Sequence, residues 1–229
     1  MPLLTEQVRD RFIGLLQPIP RALVRAGVHP NHVTSVGFVV TMAAGAAFLM
    51  GHVRIAGALV LLGGLFDILD GQVARSSGLS SVFGSFYDST LDRISEIAVF
   101  VGIFSLYGGG HPDFEYPWMV YTVALAMAGS LMVSYTRARA EALGIDCNVG
   151  MMQRPERVVL IGVSSLLFGG AWNGAVLTLV LLVMAVMTNL TTVQRIIWVY
   201  RHTERTPAPH SRVPSRPAYK TSSKKRIKS

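Results

Sequence analysis

The chain has 229 residues, of which 51% are hydrophobic and only 15% charged, with a net charge of +8 and a single cysteine. A water-soluble domain of this size carries about 25% charged residues, so the composition argues against one and for a polytopic membrane protein. One cysteine, Cys147, excludes an intrachain disulfide, and the six histidines are scattered without the spacing a zinc site needs.

In chain order, residues 3–27 hold Val8, Phe12, Leu15, Leu16, Ile19 and Leu23 at helical spacing, with Arg9, Arg11, Arg21 and Arg25 between them. The pattern predicts an amphipathic interfacial helix interrupted at Pro18 and Pro20, its arginines toward anionic headgroups. The charges in LLTEQVRDRF fall where a cleavable signal would need an apolar centre, so none is expected. After the break His29-Pro30-Asn31-His32, a first span is predicted from Val33 to Met50, with small residues for close helix contact. A second runs from Ile55 to about Arg75. Ser76 to Val82 reads as a polar turn, and a third helix starts near Gly84 and ends near Tyr107. Only its second half, from Ile94, is mostly apolar, so the first half must face protein or a watery cavity. The fourth span covers Trp118 to Tyr135 and continues into a charged end, the fifth Arg154 to Phe168, and the sixth Ala175 to Tyr200.

The expected fold is therefore all-α, with six transmembrane helices after the N-terminal interfacial helix. Six spans put both termini on one side. Arg75, Arg137, Arg139, Arg154 and Arg157 fall there, while the opposite loops offer only Arg54. The positive-inside rule makes that side cytoplasmic and locates the protein in the cell membrane. Residues 201–229 hold nine Lys and Arg against one Glu, whereas residues 1–200 are formally neutral. Residues 1–200 thus read as the membrane domain and 201–229 as a disordered basic tail near anionic lipid. No folded module surrounds the tail, so nucleic acid is not an expected partner.

Most of the chemistry lies between Asp67 and Asp92. Asp67 and Asp70 are three apart, Asp88 and Asp92 four apart, so each pair shares a helix face. A carboxylate at the centre of a membrane helix costs roughly 2.5–3.5 kcal/mol, and four together need compensating charge. Oxygen-only donors select hard ions such as Mg²⁺, Mn²⁺ or Ca²⁺. A proton or ion pathway through the same aspartates is the alternative. Arg137, Arg139, Arg154, Arg157 and Arg195 form a second group on the same side. Arg195 is a charge inside the sixth span, which marks it as functional by default. Arginine forks bind phosphate bidentately, so the group points to a partner that carries phosphate.

The stretch reads D-x2-D-G-x2-A-R-x8-G-x3-D-x3-D, filled by Asp67, Asp70, Gly71, Ala74, Arg75, Gly84, Asp88 and Asp92. It resembles the signature of the CDP-alcohol phosphotransferases, membrane enzymes that join a CDP-activated group to an alcohol and release CMP. The resemblance implies two Mg²⁺ or Mn²⁺ ions on Asp67, Asp70, Asp88 and Asp92, with Asp92 also the general base for the acceptor hydroxyl. It implies nucleotide contacts at Gly71, Ala74, Gly84 and Arg75, although Arg75 also fits a positive flanking residue. Asn31 and Thr34 fit either nucleotide contacts or caps of the first span. SYTRARAEALG, RPER and the VQR ending at Arg195 are similar to the bacterial phosphatidylinositol-phosphate synthases. That similarity implies CDP-diacylglycerol as donor and inositol 1-phosphate as acceptor, with glycerol-3-phosphate the rival acceptor for the same chemistry. It also implies that the acceptor phosphate is held by Ser134, Arg137, Arg154 or Arg157, and Arg195. Lysine is frequent in relatives at the position of Arg137, so arginine keeps the charge with altered geometry. A homodimer with lipid entering sideways from the bilayer is implied as well.

Overall fold

Helix ends fall where the side chains cap or break them. The structure, a computed structural model, describes Gly14 and residues 16–203. The first half of the amphipathic segment and the tail from residue 204 onward lie outside the described residues. The remainder of that segment forms α1 (Pro18–Arg25), with Pro18 in the first turn, where its missing N–H has no partner to lose. Six longer helices follow: α2 (Pro30–Leu49), α3 (Val53–Ser77), α4 (Val82–Gly108), α5 (Met119–Ala142), α6 (Arg154–Phe168) and α7 (Ala175–Thr203). Among the described residues all regular structure is helical.

Several boundaries differ from the sequence reading. α3 starts at Val53 rather than Ile55, and α7 runs past Tyr200 to Thr203, so that the first residues assigned to the disordered tail are helical. Two further differences concern caps. The imidazole of His29 accepts from the Asn31 amide at 3.2 Å, so His29 caps α2, not Asn31 or Thr34. The turn after α3 is shorter than expected. Gly78 closes α3 at φ 69°, and Ser81 Oγ accepts from the Gly84 amide at 2.9 Å, starting α4 at Val82.

Around the bundle α2 packs on α3 and α4, α3 on α6, α6 on α7, α7 on α5, and α5 on α4, closing a ring of six helices. α1 rests against α3. In lipid, helices associate through close packing rather than water exclusion. The α2–α4 contact depends on this: a Cβ on Gly45 would lie 2.6 Å from the Ala98 carbonyl oxygen.

Successive helices alternate in direction, so the two ends of the ring differ in composition. The core gathers at one end, where Phe48, Phe100, Ile103, Tyr107, Phe114 and Met119 are buried together. Tyr107 meets Phe114 edge-on at 5.2 Å and shares a 2.8 Å hydrogen bond with Thr178. The other end buries Asp70, Glu156, Arg157, Thr192 and Arg195. Three helices, α2, α5 and α7, are long and apolar enough to cross a membrane. α3 and α4 carry the acidic residues, and α6, with 15 residues, is only about 22 Å long against a hydrocarbon core of about 30 Å.

Candidate active site

At the polar end, α3 contributes Asp67 and Asp70 and α4 contributes Asp88 and Asp92. Arg154, the first residue of α6, reaches between them. Its Nη1 donates to Asp67 Oδ2 at 2.6 Å and lies 2.7 Å from Asp92 Oδ2. The two carboxylates, from different helices, thus converge on one nitrogen. Asp70 is only 5% exposed, and its Oδ2 is buried without a hydrogen-bond partner. A buried bare carboxylate oxygen is costly unless a cation or donor reaches it.

As the side chains stand, no three His, Cys, Asp or Glu among the described residues are grouped to hold a metal ion. The cationic position between Asp67 and Asp92 is filled by Arg154. The donor chemistry still fits a hard divalent cation. Every acidic ligand offered is a carboxylate oxygen, and the orphaned Asp70 Oδ2 supplies an unclaimed one.

Three cavities meet at these aspartates. The first, about 230 Å³, lies between the start of α2, the end of α3 and the start of α4. Asn31, Thr34, Gly71, Ala74, Arg75 and Gly84 all line it, with Asp70 and Asp88 on its inner wall. A Cβ at Gly71 would meet only the Arg75 guanidinium, at 3.3 Å, so the wall there is open backbone. Ser35 Oγ and Tyr87 OH, 3.0 Å apart, tie α2 to α4 in the same region.

The second cavity, about 470 Å³, takes Asp88 and Asp92 as one wall and Ser134, Arg137, Arg154, Arg157 and Arg195 around the rest. Four helices far apart in sequence supply these residues. Arg157, 1% exposed, is held by Glu96 through Nε at 2.7 Å and Nη2 at 3.1 Å, and by the Met152 carbonyl at 3.3 Å. Arg195, 2% exposed, donates from Nε to the Val149 carbonyl at 2.8 Å and from Nη1 to the Val133 carbonyl. A guanidinium carries five N–H donors, so both keep donors beyond these contacts. Arg137 pairs with Glu141 at 2.8 Å on the rim.

The third cavity, about 460 Å³, is an apolar groove between α3 and α6 formed by Leu61, Leu65, Ile68, Pro155, Val158 and Val159. Asp67 and Arg154 close its polar end. Apart from Pro155 within RPER, the sequence reading named none of these groove residues, since apolar side chains on a membrane helix look alike whether they face lipid or a groove. Glu96, 61 residues from Arg157, is brought to it only by the fold.

Fold and site together define a helical membrane protein with an acidic centre at one end, joining two polar cavities to an apolar groove. Residues 27–203 match the family model described as CDP-alcohol phosphatidyltransferase, and the chain belongs to that family. It is 35% identical over 206 residues to the archaetidylinositol phosphate synthase of Methanothermobacter thermautotrophicus, covering 88% of this chain and 98% of the relative. It is likewise 35% identical over 197 residues to the phosphatidylinositol phosphate synthase of Mycobacterium tuberculosis, covering 84% and 88%. The crystal structure of the Mycobacterium tuberculosis synthase with CDP-DAG bound superposes with a TM-score of 0.72 at 32% identity, over 80% of this chain and 92% of that one. A second structure of that enzyme, in complex with manganese and citrate, gives the same TM-score over 80% and 88%.

Proposed function

We propose that this protein transfers the phosphatidyl group of CDP-diacylglycerol to inositol 1-phosphate and releases CMP. The observation that carries the reading is the meeting of three cavities at one row of aspartates. A diphosphate at the junction would have its nucleotide in the first cavity, its lipid in the groove and the acceptor in the second cavity. The names of the relatives support inositol phosphate over other acceptors.

Asp67, Asp70, Asp88 and Asp92 would hold two Mg²⁺ or Mn²⁺ ions, and the manganese complex of the relative supports the choice of metal class. When bound, such ions would supply positive charge that offsets the charge developing on the departing CMP. The chain's own residues do the rest. Gly71, Ala74 and Gly84 keep the first cavity shallow, so the nucleotide lies against backbone, with Asn31, Thr34 and Arg75 at its edge. Asp92 faces the second cavity, where its carboxylate takes the proton from the acceptor hydroxyl as that oxygen attacks the β-phosphorus. Arg157 and Arg195, fixed by Glu96 and by backbone carbonyls, present their remaining N–H groups to the acceptor's phosphate with Ser134 and Arg137. A preset fork loses little entropy on binding. The groove admits the acyl chains from the side and keeps water from the lipid end.

Six passes are proposed from the apolar runs, termini and active site on the cytoplasmic side from the arginine distribution, and a homodimer from the family resemblance. Beyond α7, which takes in residues 201–203, the chain would continue as a basic cytoplasmic tail to residue 229. Purified protein given CDP-diacylglycerol and Mn²⁺ should convert labelled inositol 1-phosphate into a lipid that mass spectrometry identifies as phosphatidylinositol phosphate. Turnover with glycerol-3-phosphate and none with inositol 1-phosphate would replace this acceptor. Ion flux in proteoliposomes without CMP release would remove the enzyme reading altogether.

A further inference from the structure

The arginines around the acceptor cavity are not equivalent. The partners of Arg157 are Glu96 and a carbonyl, and those of Arg195 are two carbonyls. None of these groups belongs to the acidic centre. Arg154 instead donates to Asp67 and contacts Asp92, two carboxylates that a divalent ion would claim. Its hold is also incomplete, because Arg154 Nε is buried without a hydrogen-bond partner. The side chain borders the acceptor cavity and the lipid groove as well as the aspartates, so space adjoins it on two sides.

A divalent ion binds carboxylate oxygens at about 2.0–2.6 Å, so it would compete with the guanidinium for Asp67 Oδ2 and Asp92 Oδ2, which lie 2.6 and 2.7 Å from Arg154 Nη1. Like charges at that separation repel in a poorly screened site. Metal binding therefore weakens the hold of these two carboxylates on Arg154.

We infer that Arg154 is an exchange residue: it neutralises Asp67 and Asp92 while the metal is away, and metal binding turns its guanidinium into the acceptor cavity, where it becomes a ligand for the acceptor's phosphate. The aspartates then never face one another unneutralised, and the acceptor site is completed only after the metal has bound. A ligand can shift such an equilibrium only through its different contacts in the two states, and both states have named contacts for Arg154. This inference rests on the metal-dependent transferase reading above.

The test uses the wild-type chain in detergent, without nucleotide. An arginine-specific dicarbonyl reagent is applied with and without Mn²⁺, modification at Arg154 is read by mass spectrometry, and Mn²⁺ binding is measured by calorimetry on the same sample. Arg154 should be slow to react without metal, faster by about tenfold or more with Mn²⁺, and slow again when inositol 1-phosphate is added. In parallel, Arg154→Met should bind Mn²⁺ about tenfold or more tightly than wild type. That corresponds to removing one charge-assisted contact as competitor, at 1.4 kcal/mol per decade. A merely structural arginine would give the opposite, a variant with weaker Mn²⁺ binding. Mn²⁺ binding with unchanged Arg154 reactivity, or equal or weaker binding by Arg154→Met, overturns the exchange and leaves the transferase reading standing. No Mn²⁺ binding by wild type removes both.

Discussion

Replacing Glu96 by leucine should expose how far the acceptor side of the site depends on one ion pair. Arg157 is 1% exposed and meets Glu96 through two N–H groups, at 2.7 and 3.1 Å. Removing one partner of a buried pair costs about 3–5 kcal/mol, because the remaining charge keeps its desolvation without its counter-ion. Glu96 is 12% exposed and borders the acceptor cavity, so water can enter the space its carboxylate leaves and the lower figure of about 3 kcal/mol applies. For a chain of this size that lowers the melting temperature by about 6–12 °C. Cys147 provides the assay: it is the sole cysteine and is buried, so a thiol-reactive fluorophore reports unfolding on heating. The double variant Glu96→Leu/Arg157→Met removes both charges and should regain most of the loss in stability while acceptor turnover stays low. If Glu96→Leu melts within about 1 °C of wild type, or the double variant is no more stable than the single one, the pair is not the anchor described above.

Asp92→Asn keeps the shape of the site and removes its proton acceptor, so CMP release should fall about 10²- to 10⁴-fold with little change in melting temperature. Gly45→Val should cost about 1–3 kcal/mol by forcing α2 from α4, read by the same thermal assay. Val159→Trp narrows the groove and should raise KM for CDP-diacylglycerol about tenfold, while KM for inositol phosphate changes far less.

How much could be read from sequence depended on how far apart the cooperating residues lie. The acidic centre was legible because helical spacing puts each aspartate pair on one face and only a short turn separates the pairs. The residues read as nucleotide contacts, from Asn31 to Gly84, line one cavity because three consecutive helix ends meet there. Arg137, Arg154 and Arg157 were legible as charges at helix ends, Arg195 as a charge inside a span and Ser134 only through the family resemblance, but their separate partners were not. Nothing in the spacing of Glu96 and Arg157, 61 residues apart, joins them. Nor does it put Arg154 between Asp67 and Asp92. The start of α4 was misjudged because serines serve both turns and caps, and Ser81 is a cap. His29 was passed over because an imidazole caps a helix only when its ring nitrogen turns back onto the amide. Hydropathy identified the long apolar helices α2, α5 and α7, whereas α3, α4 and α6 depart from the usual membrane pattern where they build the site.

The most direct test of the central claim is a crystal structure of this protein with Mn²⁺ and CDP-diacylglycerol, using anomalous scattering to locate the metal. The account predicts manganese peaks among the carboxylates of Asp67, Asp70, Asp88 and Asp92, cytidine in the cavity lined by Asn31 and Gly71, and acyl chains between α3 and α6. Manganese bound away from those four side chains, or cytidine seated among Ser134, Arg137 and Arg195, would contradict it.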